Sequence, residues 1–172
     1  MARIIEVVPY NSQWPQMFEA EAKLIKKALG DNCIAIHHIG STAIPGLSAK
    51  PVIDILPVVK SLIDVDKSVE AMEQIGYEAL GEYGIPLRRF FQKGGDMRTH
   101  HVHVFEKGNP LILQHLKFRD WLISHPDDAK AYQELKLKLA SKFSNDSESY
   151  VKGKEIFIQS IETKIEKNSS LS

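Results

Sequence analysis

The chain has 172 residues, 43% of them apolar and 26% charged, which suits one domain and leaves little room for a second. A domain near this size buries about 70% of the surface its unfolded chain exposes, so it needs no disulfide or metal staple to fold. Lys plus Arg and Asp plus Glu both number 22, and this zero balance argues against nucleic acid or an anionic membrane as partner, since either would want a basic excess on one face.

The single cysteine, Cys33, forbids an internal disulfide and fits a reducing compartment. It sits in an apolar run, where a buried, inert thiol is expected. Met-Ala-Arg-Ile-Ile-Glu at the N-terminus lacks the apolar core of a signal peptide, and no stretch of about 18 apolar residues occurs. The expected location is cytoplasmic.

Arg3 to Val8 is a short β-branched run ending at Pro9, and it predicts a first strand. Trp14-Pro15 opens a helix whose stripe is Phe18, Ala22, Ile25 and Leu29, stopped by Gly30. Cys33 to Ile39 reads as a strand, followed by an irregular stretch through Lys50. Pro51 to Val59 reads as a strand apolar enough for the middle of a sheet. Leu62, Val65, Val69, Met72 and Ile75 mark one amphipathic helix ending at Gly76. Leu87 to Lys93 and Thr99 to Phe105 flank Gly94-Gly-Asp-Met-Arg98 as a hairpin. From Leu111 the chain turns helical: one helix to about Ser124, a second restarting at Pro126 with Tyr132, Leu135, Leu139 and Phe143 buried, and a third from Asp146-Ser147 carrying Ile158, Ile161 and Ile165. The prediction is one α/β (α+β) domain over 1–167, a mixed β-sheet with packed helices and a helical C-terminal portion, and a disordered tail over 168–172.

The chemistry concentrates in His37-His-Ile-Gly-Ser-Thr-Ala-Ile-Pro-Gly-Leu-Ser-Ala-Lys-Pro-Val-Ile-Asp54. A strand ending in Gly40-Ser41-Thr42 offers a tight turn, two hydroxyls and backbone N–H groups, a phosphate-sized anion site to which Lys50 adds a point charge. The same triplet serves as well to cap whatever follows. Asp54 lies in the otherwise apolar Val52-Ile-Asp-Ile-Leu56, where a carboxylate is costly to bury unless paired, hydrogen-bonded or bound to a cation. In Thr99-His-His-Val-His-Val-Phe105, His101 and His103 share one strand face, so they either grip a metal, handle protons and anions, or simply face solvent. Arg88, Arg89, Lys93 and Arg98 gather at the hairpin, as phosphate contacts or as an exposed rim. His115 and His125 read as structural or surface groups, and the Lys-rich C-terminal helices as packing faces with solvated backs.

On these residues the sequence resembles the GrpB family, grouped with nucleotidyltransferase folds. The likeness runs from about Ile4 to Glu166 through His38-Ile-Gly-Ser-Thr-Ala-Ile-Pro-Gly-Leu47, Lys50-Pro-Val-Ile-Asp-Ile55, Arg88-Arg-Phe-Phe-Gln-Lys93, Arg98-Thr-His-His-Val-His-Val104 and Phe118-Arg-Asp-Trp-Leu122 with His125-Pro126. The resemblance implies a nucleotidyltransferase-like sheet and a nucleotidyl- or phosphoryl-type transferase, with Asp54, His101 and His103 as catalytic or metal-ligating residues. His38, Gly40, Ser41, Thr42, Lys50 and Arg89 would hold the phosphate or nucleotide of a small ligand. Such transferases carry paired acidic residues at i and i+2, and here the second position is Leu56. One carboxylate with two imidazoles suggests a divalent Mn, Zn or Mg ion and no organic cofactor. The alternative is a binding domain for a nucleotide, small ligand or partner, with a degenerate site.

Overall fold

A computed structural model of the chain describes residues 6–143 and 146–170. Helix α1 (Trp14–Leu29) buries Trp14, Phe18, Ala22, Ile25 and Leu29, the stripe expected from their spacing. Strand β1 (Cys33–Ile39) follows, then a single 3-10 turn at Ser41–Ala43, then β2 (Ile53–Val59). The expected helix over 62–75 is two short pieces, α2 (Leu62–Asp66) and α3 (Val69–Gln74). The break falls at Ser68, whose hydroxyl bonds back to the Asp64 carbonyl and whose backbone leaves the helical region. Strand β3 (Tyr77–Ala79) follows, which the sequence pattern does not announce. Then come β4 (Arg88–Lys93), β5 (His100–Glu106), α4 (Pro110–Ser124), α5 (Pro126–Lys142) and α6 (Ser147–Ser170).

The five strands form one mixed sheet in the order β1-β2-β5-β4-β3, with only β2 and β5 parallel. Strand β2 therefore has neighbours on both sides, which is why it tolerates a nearly unbroken apolar sequence. Of the expected first strand, Arg3 to Ile5 lie outside the described residues, and Val8 makes an isolated bridge to Ala49. Of the expected tail, Asn168 to Ser170 continue α6. Leu171 and Ser172 lie outside the described residues.

Side-chain alternation divides the sheet into two faces with different work. One carries Ile53, Ile55, Val102, Val104 and Phe91 and packs against Trp14, Phe18 and Ile25 of α1 and Met72 of α3. Each such side chain, fully buried, contributes about 1.5–3 kcal/mol of transfer free energy. The other face carries Ile39, Leu56, Val58 and Phe105, with Leu111, Ile112 and Leu116 of α4 packed against them. Beyond this apolar half the second face turns polar, and the site lies there. A third cluster joins Ile44 and Leu47, just after the Ser41 turn, to Leu122, Tyr132 and Ile161 of the C-terminal helices. That contact brings α5 and α6 up to the turn.

Candidate active site

Register sets the centre of the site. Asp54 pairs with His101 across the parallel β2–β5 ladder, and His103 lies two residues on, so all three side chains leave the same sheet face. The Asp54 Oδ1 atom is 3.0 Å from His103 Nε2 and 3.6 Å from His101 Nδ1. Arg88, two residues from the Phe90 that pairs with His103, reaches the same face and donates from Nη1 to His103 Nδ1 at 3.3 Å. A guanidinium cannot accept a proton, so Nδ1 of His103 is the acceptor and Nε2 carries the hydrogen that Asp54 receives. The imidazole is thus held between the Arg88 guanidinium and the Asp54 carboxylate. Carbonyls of Glu82 and Tyr83 hold the other guanidinium nitrogens of Arg88.

His101 is arranged differently. Its Nδ1 faces Asp54, while its Nε2 is buried and has no hydrogen-bond partner among the described residues. Burial works to raise the Asp54 carboxyl, but hydrogen bonds and charge from His101 and His103 outweigh it, and the group lies well below the usual carboxylate range. Asp54 is therefore an anion at neutral pH. His115, from α4, lies over His103 with ring centroids 6.1 Å apart, and is pushed down to about 4, first by burial and then by His103.

The other oxygen of Asp54 points at the turn. A Cβ added to Gly40 would meet Asp54 Oδ2 at 2.7 Å, and Gly40 has φ +74°, so this position needs glycine both for its backbone and for the carboxylate above it. Thr42 is buried beneath the turn and bonds to His38 Nε2 at 2.9 Å. Ile39 pairs with Asp54, so the neighbouring His38 leaves the opposite sheet face, where its ring stacks on Phe18 at 4.8 Å. Burial pushes His38 down to about 4. It braces the turn from below and does not line the Asp54 side. Arg89 likewise faces away, forked onto the Asp66 carboxylate at 2.7 and 3.2 Å. Alternation makes Arg88 the arginine of the site.

Behind the turn stand groups of the C-terminal helices that read from the sequence as packing, together with Lys50, expected there as a phosphate contact. Lys136 of α5 is 2% exposed, donates to the Ser48 carbonyl at 2.7 Å and sits 4.8 Å over the Tyr132 ring. Lys50 and Lys154 lie 4.4 and 4.8 Å from the ring centre of Tyr150. The Tyr132 phenol is raised by burial first and then by Tyr150, while contact with Ser41 opposes the shift. A signal existed in the sequence: Lys136 follows Tyr132 by four residues and Lys154 follows Tyr150 by four, which puts each lysine on the same helical face as a buried aromatic. Leu56, which shares a strand face with Asp54 where the resemblance led to an expected second carboxylate, is fully buried among Ile39, Val58 and Phe105.

The expected metal set, Asp54 with His101 and His103, does converge, but these groups point at one another. An ion on Asp54 Oδ1 and His103 Nε2 would expel the hydrogen they share. His103 would then need its proton on Nδ1, opposite an Arg88 N–H. Among the described residues no three His, Cys, Asp or Glu side chains are disposed around one point for an ion. The arrangement does not fit the Mn, Zn or Mg ion expected there.

An apolar groove of about 390 Å³ lies between the 44–47 loop and helices α4 and α5, lined by Ile44, Leu47, Leu122, Pro126 and Gln133 among others. Its lining offers no acid or imidazole, and none of the candidate residues borders it. No helix among the described residues is long and apolar enough to cross a membrane. Cys33 is half-buried, and burial raises its thiol.

Comparison with known proteins adds the following. The profile of the GrpB protein family matches residues 4–164. UPF0157 protein YqkA of Bacillus subtilis is 47% identical over 160 residues, which are 93% of this chain and 47% of that one. The crystal structure of conserved protein GrpB from Enterococcus faecalis superposes with a TM-score of 0.91 at 41% identity, covering 95% of this chain and 99% of the other. A dephospho-CoA kinase of Mycolicibacterium paratuberculosis is 28% identical over 176 residues, 88% of this chain and 43% of the kinase. The chain thus spans about half the length of YqkA and of the kinase.

Proposed function

The chain belongs to the GrpB protein family, and we propose that its site performs phosphoryl- or nucleotidyl-type transfer on a small phosphate-bearing substrate. The observation that carries this reading is the half-buried, ionised Asp54 carboxylate behind His101, whose far nitrogen has no partner among the described residues. An imidazole backed by a carboxylate and unpartnered at its other nitrogen is suited to act as a general base. In this reading an acceptor hydroxyl approaches phosphorus and gives its proton to His101 Nε2. The new O–P bond forms as the bond from phosphorus to the leaving oxygen breaks, and that oxygen departs with the electron pair. Asp54 stabilises the imidazolium, while His103, held by Arg88, keeps the carboxylate aimed. The Gly40–Thr42 turn steadies the phosphate oxygens. No step needs a metal held by Asp54 and the histidines. The likeness to a dephospho-CoA kinase supports coenzyme A precursors and nucleotides as first substrates to try. The half-buried thiol suits a reducing cytoplasm.

A second reading, a binding domain without turnover, is favoured by Leu56, which leaves the site with one carboxylate. One experiment separates the two. Purified protein is incubated with nucleoside triphosphates, dephospho-CoA and CoA while phosphate, pyrophosphate and transfer products are followed. Wild type should turn over at least one donor. His101→Gln and Asp54→Asn should each lower the rate by roughly 10²–10⁴, the usual worth of a general base. Arg88→Met should lower it less, because it loosens His103 without removing the base. Binding without turnover for every donor would leave the second reading in possession of the site.

A further inference from the structure

We infer that Lys50, Lys136 and Lys154, with Tyr132 and Tyr150, form a subsite for a phosphate group or phosphate chain carrying at least two negative charges, beside the Ser41 turn. The inference deepens the reading above, since it gives the substrate's phosphates a location, but it needs only binding and not turnover.

The first argument is the missing counter-charge of two inward lysines. Elsewhere on the same helices lysines find acids: Lys152 pairs with Glu148 at 3.3 Å, and Lys164 reaches Asp128 at 2.7 Å. Lys136 and Lys154, both turned inward, form no ion pair among the described residues, although Lys136 is almost wholly buried. Burying an ammonium without an anion is costly, and bringing several together adds repulsion. The strain is visible in Lys136, which is pushed down to about 7, first by burial and then by Lys154 and Lys50. The carboxylate that acts on Lys154 is Asp54, which two imidazoles already share.

The second argument is independent of charge. The Tyr150 hydroxyl, on a side chain with 0% exposure, has no hydrogen-bond partner among the described residues. Its ring lies within 5 Å of both the Lys50 and the Lys154 ammonium, at 4.4 and 4.8 Å. A buried donor left unmet on a ring that two ammonium groups approach suits the oxygens of an anion. Packing serves the same end: a Cβ on Gly153 would meet the Leu139 side chain at 2.6 Å, so this glycine lets α6 approach α5 closely enough to bring Lys154 beside Lys136.

The test uses inorganic pyrophosphate and inorganic phosphate, titrated into the full chain by calorimetry and followed by thermal melting, with sodium chloride at matched ionic strength as control. Wild type should bind pyrophosphate more tightly than phosphate and melt higher with either. Lys136→Met should melt higher than wild type in the absence of anion, since its repulsion is gone, and should bind pyrophosphate about tenfold or more weakly. Lys154→Gln should weaken binding similarly, and Tyr150→Phe by a few-fold. These two variants keep the test decisive if Lys136→Met fails to fold. Asp54→Asn, which removes a neighbouring negative charge, should bind pyrophosphate as well as wild type or better.

Chloride matching the effect of pyrophosphate, or undiminished binding in the lysine variants, would overturn the subsite. Pyrophosphate binding lost in those variants, with no donor turned over by wild type, would sustain the subsite and remove the transfer reading. Turnover unaffected by Lys136→Met and Lys154→Gln would do the reverse.

Discussion

At Gly40 a single hydrogen atom where other residues have a Cβ decides the shape of the site. Its φ of +74° and the Asp54 oxygen 2.7 Å from where a methyl would stand act together, whereas Gly46, at φ +79°, has nothing within 4 Å. Gly46→Ala should therefore show the backbone effect alone, about 1 kcal/mol. Gly40→Ala adds an overpacking term of roughly 1–3 kcal/mol, for a total of about 2–4 kcal/mol and a melting drop near 2–4 °C per kcal/mol. Denaturant and thermal melts of the two variants check this, and equal losses would mean that the carboxylate does not constrain the turn. At this scale the sequence reveals what period-two alternation reveals: His101 with His103, and the anomaly of Asp54 in an apolar strand. It does not reveal register. Arg88 and Arg89 are indistinguishable until β4 is paired with β5, and His38 looks like a site residue until Ile39 is seen opposite Asp54.

Elements whose apolar spacing is long and regular are the legible ones. Helix α1, strand β1 and the three C-terminal helices lie where their patterns put them. Failures come from short-range competition: the Ser68 hydroxyl breaks one expected helix, and β3, three residues long, is too short to show alternation. Helix α4 matters most for the site, because it carries His115 over His103 and lends Arg119 to the His38 carbonyl at 3.1 Å. Its start is fixed by Asn109, whose side chain accepts from the Leu111 N–H at 2.9 Å, with Pro110 at the first helical position. Asn109→Ala should lose about 1 kcal/mol, whereas Asn109→Asp should lose little, since both Asn and Asp cap well. Chemical denaturation of the pair measures it, and an Ala variant as stable as wild type would show that the cap is dispensable beside the Leu111 and Leu116 packing.

Across the whole molecule a zero net charge conceals an uneven interior, with imidazoles and ammonium groups drawn in around the half-buried Asp54 carboxylate. No count of residues in the sequence displays this, because it arises from helices α4, α5 and α6 closing on the sheet. It has a consequence for stability. Burial, aided by Arg119, pushes His38 down to about 4 despite the pull of Asp54. His115 is pushed to about 4 by burial and by His103, and His37 and His100 are lowered too, each mainly by burial. In the unfolded chain these groups titrate near 6.5. Between pH 6.5 and 4 the unfolded chain therefore holds more protons than the folded one, and stability must rise with pH across that window. The contribution is complete above about 6.5 and is lost progressively as the pH falls toward 4. Asp54, whose folded carboxyl is depressed, acts in the same sense but only below the ordinary carboxylate range, so its contribution stays constant here. From pH 7 to pH 5 the His38 and His115 shifts together amount to roughly 3–4 kcal/mol. Urea denaturation at the two pH values should show that loss, and His115→Gln should remove about half of the difference between them. Coincident curves at pH 5 and pH 7 would mean that neither imidazole is buried in its neutral form.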